Sequence, residues 1–277
     1  MTHTPGTLYS LGQGLARLLA PNPSPYTAEG TWVHFIGTER LAILDPGPAD
    51  PAHLEALVAA IAGRPVDAIL ITHTHRDHSP AAAPLSASTS APVWGCAPLV
   101  VPGNQESGFD TTYAPDRVLG DGETIEAGGA TLQAVHTLGH TSNHLCFAWG
   151  HRLFSGDHVM GWSTTVVIPP DGHMGAYMDS LAKLQGRPET LYYPAHGEPV
   201  EDPQRLLRGM LTHRVQRERQ LLRLLEEAPA TLAALTLRAY PALDPRLRPA
   251  AEATALAHLI TLEERGAVTC VQGTWKV

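Results

Sequence analysis

No stretch of the 277-residue chain approaches the roughly 18 consecutive apolar residues of a membrane-spanning helix. The opening MTHTPGTLYSLGQGLARLLAPNPSP has no basic segment leading into an apolar one. No secretory leader is expected, therefore, and a cytoplasmic location is. Cysteine is scarce: Cys96, Cys146 and Cys270 are odd in number and far apart. That spacing excludes a disulfide framework and a CxxC metal pair, and fits inert thiols in a reducing compartment. Aromatic residues make up 6% of the chain, which leaves few stacking platforms for single-stranded nucleic acid. The sequence has neither an internal repeat nor a long disordered linker.

Histidine is abundant instead, with 15 residues, and the net charge of −8 is unevenly spread. Residues 201–277 hold 11 basic and 9 acidic side chains, which leaves 8 basic and 18 acidic in the first 200. An acidic main body argues against strong non-specific nucleic-acid binding by that part. Length allows one large domain, or a large one with a small one.

TWVHFIG, LAILDPG and VDAILITHTH read as strands, with the helix PAHLEALVAAIAG between the last two. This β-α-β unit, with its apolar final strand, predicts an α/β fold with a buried sheet. Short strands with Gly turns follow in APVWGC, GETIEAGGATLQAVHTLGH, HLCFAWG and HRLFSGD. GAYMDSLAKLQG reads as a helix and ETLYYPAHG as a strand. After residue 200 the pattern becomes helical. EDPQRLLRGMLTHRVQRERQLLRLLEEAP predicts one long helix with an apolar stripe of Leu207, Leu211, Val215, Leu222 and Leu225. Two more helices follow, TLAALTLRAY and PAAEATALAHLITLEERG, and then a hairpin turning at Gln272-Gly273. That order is the pattern of a winged helix, and it places a boundary between residues 1–203 and 204–277.

The densest chemistry is THTHRDHS, residues 72–79, which holds His73, His75, Asp77 and His78. His73 is read as ending a strand, so that His75 shares its face and the pair converges on one ion. Imidazole and carboxylate are ordinary ligands for zinc and similar divalent ions. Three more candidates stand beside glycine after apolar strands: His140 in LGHTS, Asp157 in FSGDH and His196 in PAHGE. Asp45 in LDPG is placed to orient a ligand imidazole from behind. His136, His144 and His158 are read as packing near the ligands, and His173 as a loop histidine.

HTHRDH at 73–78, GHT at 139–141, GD at 156–157 and AHG at 195–197 together resemble the metallo-β-lactamase superfamily, an αββα sandwich of hydrolases. The resemblance implies one metal site of His73, His75 and His140, a second of Asp77, His78 and His196, and Asp157 bridging them. NPSPYTAEGT at 22–31, STTV at 163–166, YMDSL at 177–181 and THRVQRERQ at 212–220 extend it to the β-lactamase-like protein 2 group, which adds a C-terminal winged-helix-like domain. Characterised animal members of that group are endoribonucleases acting on single-stranded RNA. Bacterial relatives are mostly described as metal hydrolases or as hydroxyacylglutathione-hydrolase-like. Where the group usually has Asn after GT, this chain has Trp32, which is expected to alter the site rim.

The expectation is a hydrolase with two Zn2+ ions, Fe or Mn being possible substitutes. A hydroxide bridging the ions attacks the substrate, and Asp77 holds that nucleophile or passes a proton to the leaving group. The substrate is a small ester or thioester. The alternatives are a phosphodiesterase or endoribonuclease, favoured by Arg205, Arg208, Arg214, Arg217, Arg219 and Arg223, and an iron-dependent dioxygenase. A membrane partner is not expected, and a homo-oligomer is possible.

Overall fold

A computed structural model describes residues 3–99 and 108–277. The chain divides into two compact units. The first comprises Met1–His136, Asn143–Ser163 and Pro188–Pro203, and the second Thr137–Ser142, Thr164–Arg187 and Gln204–Val277.

The first unit is built on two sheets. One has seven strands in sequence order: β1 (Leu8–Gly12), β2 (Leu15–Leu19), β3 (Trp32–Ile36), β4 (Leu41–Leu44), β5 (Val66–Ile71), β6 (Val93–Gly95) and β7 (Arg117–Val118). The other has five, in the order β12 (Leu191–Pro194), β11 (Arg152–Gly156), β10 (Leu145–Trp149), β9 (Ala130–His136), β8 (Thr124–Ala127). The predicted β-α-β unit is present. β4 and β5 run parallel, joined by α1 (Pro51–Ile61). Its helix starts where Asp50 accepts the His53 N–H and Pro51 supplies a preset φ, and stops at Ala62 in the left-handed region. Every residue of β3 and β4 is buried, as a sheet covered on both faces requires.

Both sheets feed one apolar core. Val33, Phe35, Ile43 and Ile69 come from the first, and Ile125, Leu132, Phe147 and Phe154 from the second. Besides the short β7, a hairpin and a helix were not anticipated from the sequence. They are the β1–β2 hairpin and α2 (Ala82–Thr89), whose buried Ala82 and Leu85 join the same core.

His34 on β3 lies inside that core, 5.1 Å from the Phe154 ring, and its Nε2 has no hydrogen-bond partner among the described residues. Burial, and then the charge of Arg17, push its pKa down to about 3. The unfolded chain, with histidine near 6.5, therefore binds the extra proton between about pH 6.5 and 3, and the fold loses stability as pH falls through that window. Between pH 7 and 4.5 this one residue is expected to cost on the order of 3 kcal/mol. Urea unfolding of the wild type and His34→Leu at both pH values checks it. The leucine variant should lose less stability on acidification, and an equal loss in both would refute the assignment.

The second unit contains α3 (Met174–Leu184), α4 (Pro203–Glu227, from Gln204 onward), α5 (Leu232–Ala239), α6 (Arg248–Glu264) and a three-stranded sheet. That sheet has the order β13 (Ala230–Thr231), β15 (Thr274–Lys276), β14 (Thr269–Val271). The predicted hairpin turns at Gln272 and Gly273, both with positive φ, as a two-residue turn of this type demands. The buried stripe of α4 differs from the expected one. It runs through Leu207, Met210, Arg214, Glu218, Leu221 and Leu225, while Leu211, Val215 and Leu222 are half-buried. The two charged positions are tolerated because Arg214 donates to the Thr165 carbonyl and Glu218 accepts from Arg265. α3 packs on α6, and the Gly175 N–H bonds Thr261 Oγ1 at 3.1 Å. Among the described residues no helix is long and apolar enough to cross a membrane.

Candidate metal centre

Each candidate in the first unit sits just past the C-terminal end of a strand, where a rigid sheet aims a short loop. Asp45 follows β4, the 73–78 cluster follows β5, Asp157 follows β11 and His196 follows β12. β5 stops at Ile71, two residues before His73. The convergence of His73 and His75 therefore arises in the loop and not from strand alternation. It brings His73 Nε2 within 2.9 Å of His75 Nδ1. Gly156, at φ +50°, lets the chain turn into Asp157. A Cβ there would lie 2.7 Å from His144 Nε2 and 2.9 Å from Thr72 Oγ1.

Two groups of donor atoms result, each within 4.8 Å. His73, His75 and Asp157 form one, and Asp77, His78 and His196 the other. Asp157 faces both. Its Oδ2 lies 3.9 Å from His73 Nε2, and its Oδ1 lies 3.5 Å from His78 Nε2 and 3.2 Å from His196 Nε2. Asp77 Oδ2 lies 3.3 Å and 3.2 Å from the same two nitrogens. His140 belongs to the second unit, where its Nδ1 bonds the Val166 carbonyl at 2.8 Å.

Outer partners fix which ring nitrogen carries the proton. Carbonyl and carboxylate oxygens only accept, so each bonded Nδ1 must donate. His78 donates to Asp45 Oδ2 at 3.0 Å, and His196 to the Gly30 carbonyl at 3.1 Å. The Thr72 hydroxyl donates to Asp45 Oδ2 at 2.7 Å, so His73 Nδ1 in turn donates to Thr72 Oγ1 at 3.0 Å. With Nδ1 so engaged, Nε2 is the nitrogen that His73, His78, His140 and His196 would offer to a metal. Asp45 thus orients two imidazoles, one directly and one through Thr72. Its place behind the ligands was read from LDPG, but the role of Thr72 was not, although it opens the THTH stretch.

The electrostatics favour a cation. Burial raises the Asp77 and Asp157 carboxyls, but the adjoining His78 and His196 rings outweigh it and hold both well below the carboxylate range. Burial lowers His78 and His196, yet the two carboxylates lift His78 well above its ordinary value and His196 to about 10. Burial, with His78 and His75 beside it, pushes His73 well below. The second group thus attracts positive charge, which a divalent ion supplies in exchange for protons. His78 Nε2 is fully buried and accepts no hydrogen bond among the described residues. A nitrogen and carboxylate donor set around that buried nitrogen fits a divalent metal, to which the rings would yield their protons.

The remaining histidines sort by geometry. His144 and His158 are buried beside the cluster, with the His144 ring 5.0 Å from that of His73. His136 turns to the Leu119 carbonyl. His173 caps α3, accepting the Ala176 N–H, and its Nε2 lies 2.8 Å from Glu264. Trp32, expected at the site rim, is buried beneath the Arg17 guanidinium at 3.8 Å. An exposed aromatic does stand near the site. Trp162, with Ala28, Pro199, Glu29 and Glu198, lines a cleft of about 460 Å³ that adjoins Gly197, the residue after His196.

The family model described as the metallo-beta-lactamase superfamily matches residues 26–196, and one described as the beta-lactamase associated winged helix domain matches residues 231–275. Lactamase-like protein notP of an Aspergillus species is 32% identical over 76% of this chain and 64% of its own length. Atrochrysone carboxyl ACP thioesterase nsrC of Aspergillus novofumigatus is 30% identical over 76% of this chain and 63% of its own. The chain thus spans a little under two thirds of the length of these relatives. A crystal structure of a metallo-beta-lactamase family protein from Thermus thermophilus superposes with a TM-score of 0.80 at 24% identity, covering 96% of this chain and 99% of that one.

Proposed function

The chain belongs to the metallo-beta-lactamase superfamily and carries its associated winged helix domain, and from that premise we propose a dinuclear zinc hydrolase of small esters or thioesters. The observation that carries the proposal is Asp157, whose two oxygens face two separate donor groups. His73, His75 and His140 would hold one ion, and Asp77, His78 and His196 the other, with Asp157 between. When bound, such a pair supplies an activated water at neutral pH and polarises the attacked carbonyl. Zinc suits this donor set; iron and manganese share it.

The chain's own residues do the rest. Asp45 and Thr72 hold the imidazoles in the ligating tautomer. Asp77, with 26% of its side chain exposed, is the carboxylate of the second group open to solvent; ionised, it would accept the proton released by the attacking water and hand it to the leaving group. All seven donors precede residue 204, so residues 1–203 form the catalytic part and 204–277 the winged-helix part of this reading.

The ester or thioester substrate rests on two supports. Relatives bear thioesterase names. The cleft beside His196 also combines an exposed tryptophan with two carboxylates, a lining that suits a neutral acyl group and repels a polyanion. Arg17 lies against Glu198 and offsets one of those two charges. An RNA substrate loses support on α4, where Arg214 is buried and Arg217 stacks on Tyr240.

A substrate panel decides. S-lactoylglutathione and an aryl thioester should be turned over, and bis-p-nitrophenyl phosphate and a fluorescent single-stranded RNA should not. Cleavage of the phosphodiesters with no thioester turnover would overturn the choice of substrate.

A further inference from the structure

Of the three groups around the second donor set, Asp77 is the least anchored by its surroundings. His78 is held from behind by Asp45 and His196 by the Gly30 carbonyl. Asp77 lies in a turn, partly exposed, and besides the two imidazoles its carboxylate has one hydrogen-bond donor among the described residues, Thr31.

That donor is itself fixed. Thr31 stands immediately before β3 and is fully buried. Its N–H donates to Asn22 Oδ1 at 2.9 Å, which sets the orientation of the Asn22 amide. Asn22 Nδ2 then donates to Thr31 Oγ1 at 2.9 Å. With that acceptor position filled, the hydroxyl proton points to Asp77 Oδ2 at 3.0 Å, and an ionised carboxylate can only accept. The loop carrying Asn22 is braced in turn, since Thr27 Oγ1 donates to the Asn22 carbonyl at 2.6 Å. The oxygen that Thr31 grips is the same Oδ2 that faces His78 and His196.

We propose that Thr31, locked by Asn22, is a positioning residue that holds Asp77 Oδ2 in place for the second metal ion. The inference rests on reading Asp77, His78 and His196 as ligands. Its ordering cost is met by the fold: Asn22, Thr31 and the start of β3 are already rigid, so the carboxylate is held before the ion arrives. A partner of this kind is worth about 10–100-fold in metal affinity.

The test is calorimetric titration of the metal-free, full-length protein with Zn2+. Asp77→Asn identifies which binding step belongs to this donor group. Thr31→Val, which keeps the shape and removes the hydroxyl, should weaken that step by about 10–100-fold and leave the other unchanged, and Thr31→Ser should restore it. Should the valine variant lose its near-ultraviolet dichroism, Asn22→Ala takes its place, because it leaves the hydroxyl present but unheld and should weaken the same step. Wild-type affinity at both steps in the variant used, equal weakening of both, or no rescue by serine would each overturn the positioning role. A wild type that binds a single equivalent, with Asp77→Asn unchanged, would instead sink the ligand reading, and the role of Thr31 with it.

Discussion

Asp157→Ala is expected to emerge from metal-free buffer with neither ion retained and with turnover abolished. The reason is geometric. His73 lies within reach of one carboxylate oxygen, and His78 and His196 lie within reach of the other. Deleting the carboxylate removes a donor from each group at once and leaves buried imidazoles facing one another. Removal of an outer partner alone costs about 10–100-fold, so loss of a donor common to both groups should exceed that for each ion. Elemental analysis after dialysis, with an activity assay on the same sample, reads the result. An alanine variant with the wild-type metal content and rate would remove Asp157 from its bridging position.

The second large effect concerns the end of the chain. Cutting after Pro203 is expected to give an aggregating protein and not a soluble catalytic fragment. Thr164–Arg187 belongs to the same compact unit as Gln204–Val277. Within that unit Met174, Tyr177, Leu181 and Leu184 of α3 are buried. The Tyr177 ring lies under the Arg214 guanidinium, Gly175 bonds Thr261, and His173 pairs with Glu264. The cut deletes α4 and α6 and exposes the apolar face of α3, a patch of the kind that drives association. Size-exclusion chromatography and a thermal melt of the 1–203 fragment check this. A monodisperse, cooperatively unfolding fragment would show that the C-terminal helices are dispensable to the fold.

Those interleaved units also show where the sequence was legible and where it was not. Composition changes sharply after residue 200, so a linear reading divides the chain there. Nothing in residues 164–187 announces that they pack with helices beginning some 20 residues later, because packing partners leave no local signature. Strong periodicity made the β4-α1-β5 unit, α3, α4, α6 and the final hairpin readable. α2 escaped because AAPLSAST contains Pro84 and a run of Ser and Thr, and is helical through the docking of Ala82 and Leu85. β1 escaped because its residues are exposed or half-buried and carry no apolar run.

The donor cluster was legible because His73, His75, Asp77 and His78 crowd six positions, a density that packing alone does not call for. What surrounds it was less so. Trp32 was expected at the rim because of its place in the motif, yet β3 turns it inward under Arg17. His173 was read as idle and proves to be a helix cap. Thr31, Thr72 and Asn22 carry no ligand spacing. Only the hydrogen bonds they make reveal them.

The measurement that bears most directly on the account is the metal content of protein purified without added metal, followed by chelation and stepwise readdition while thioester turnover is monitored. The account predicts about two zinc ions per chain, loss of turnover when they are removed, and recovery as the second equivalent is restored. Thioester turnover undiminished in the metal-free protein would contradict it, and one iron per chain with no hydrolysis would turn the chemistry to oxygen instead.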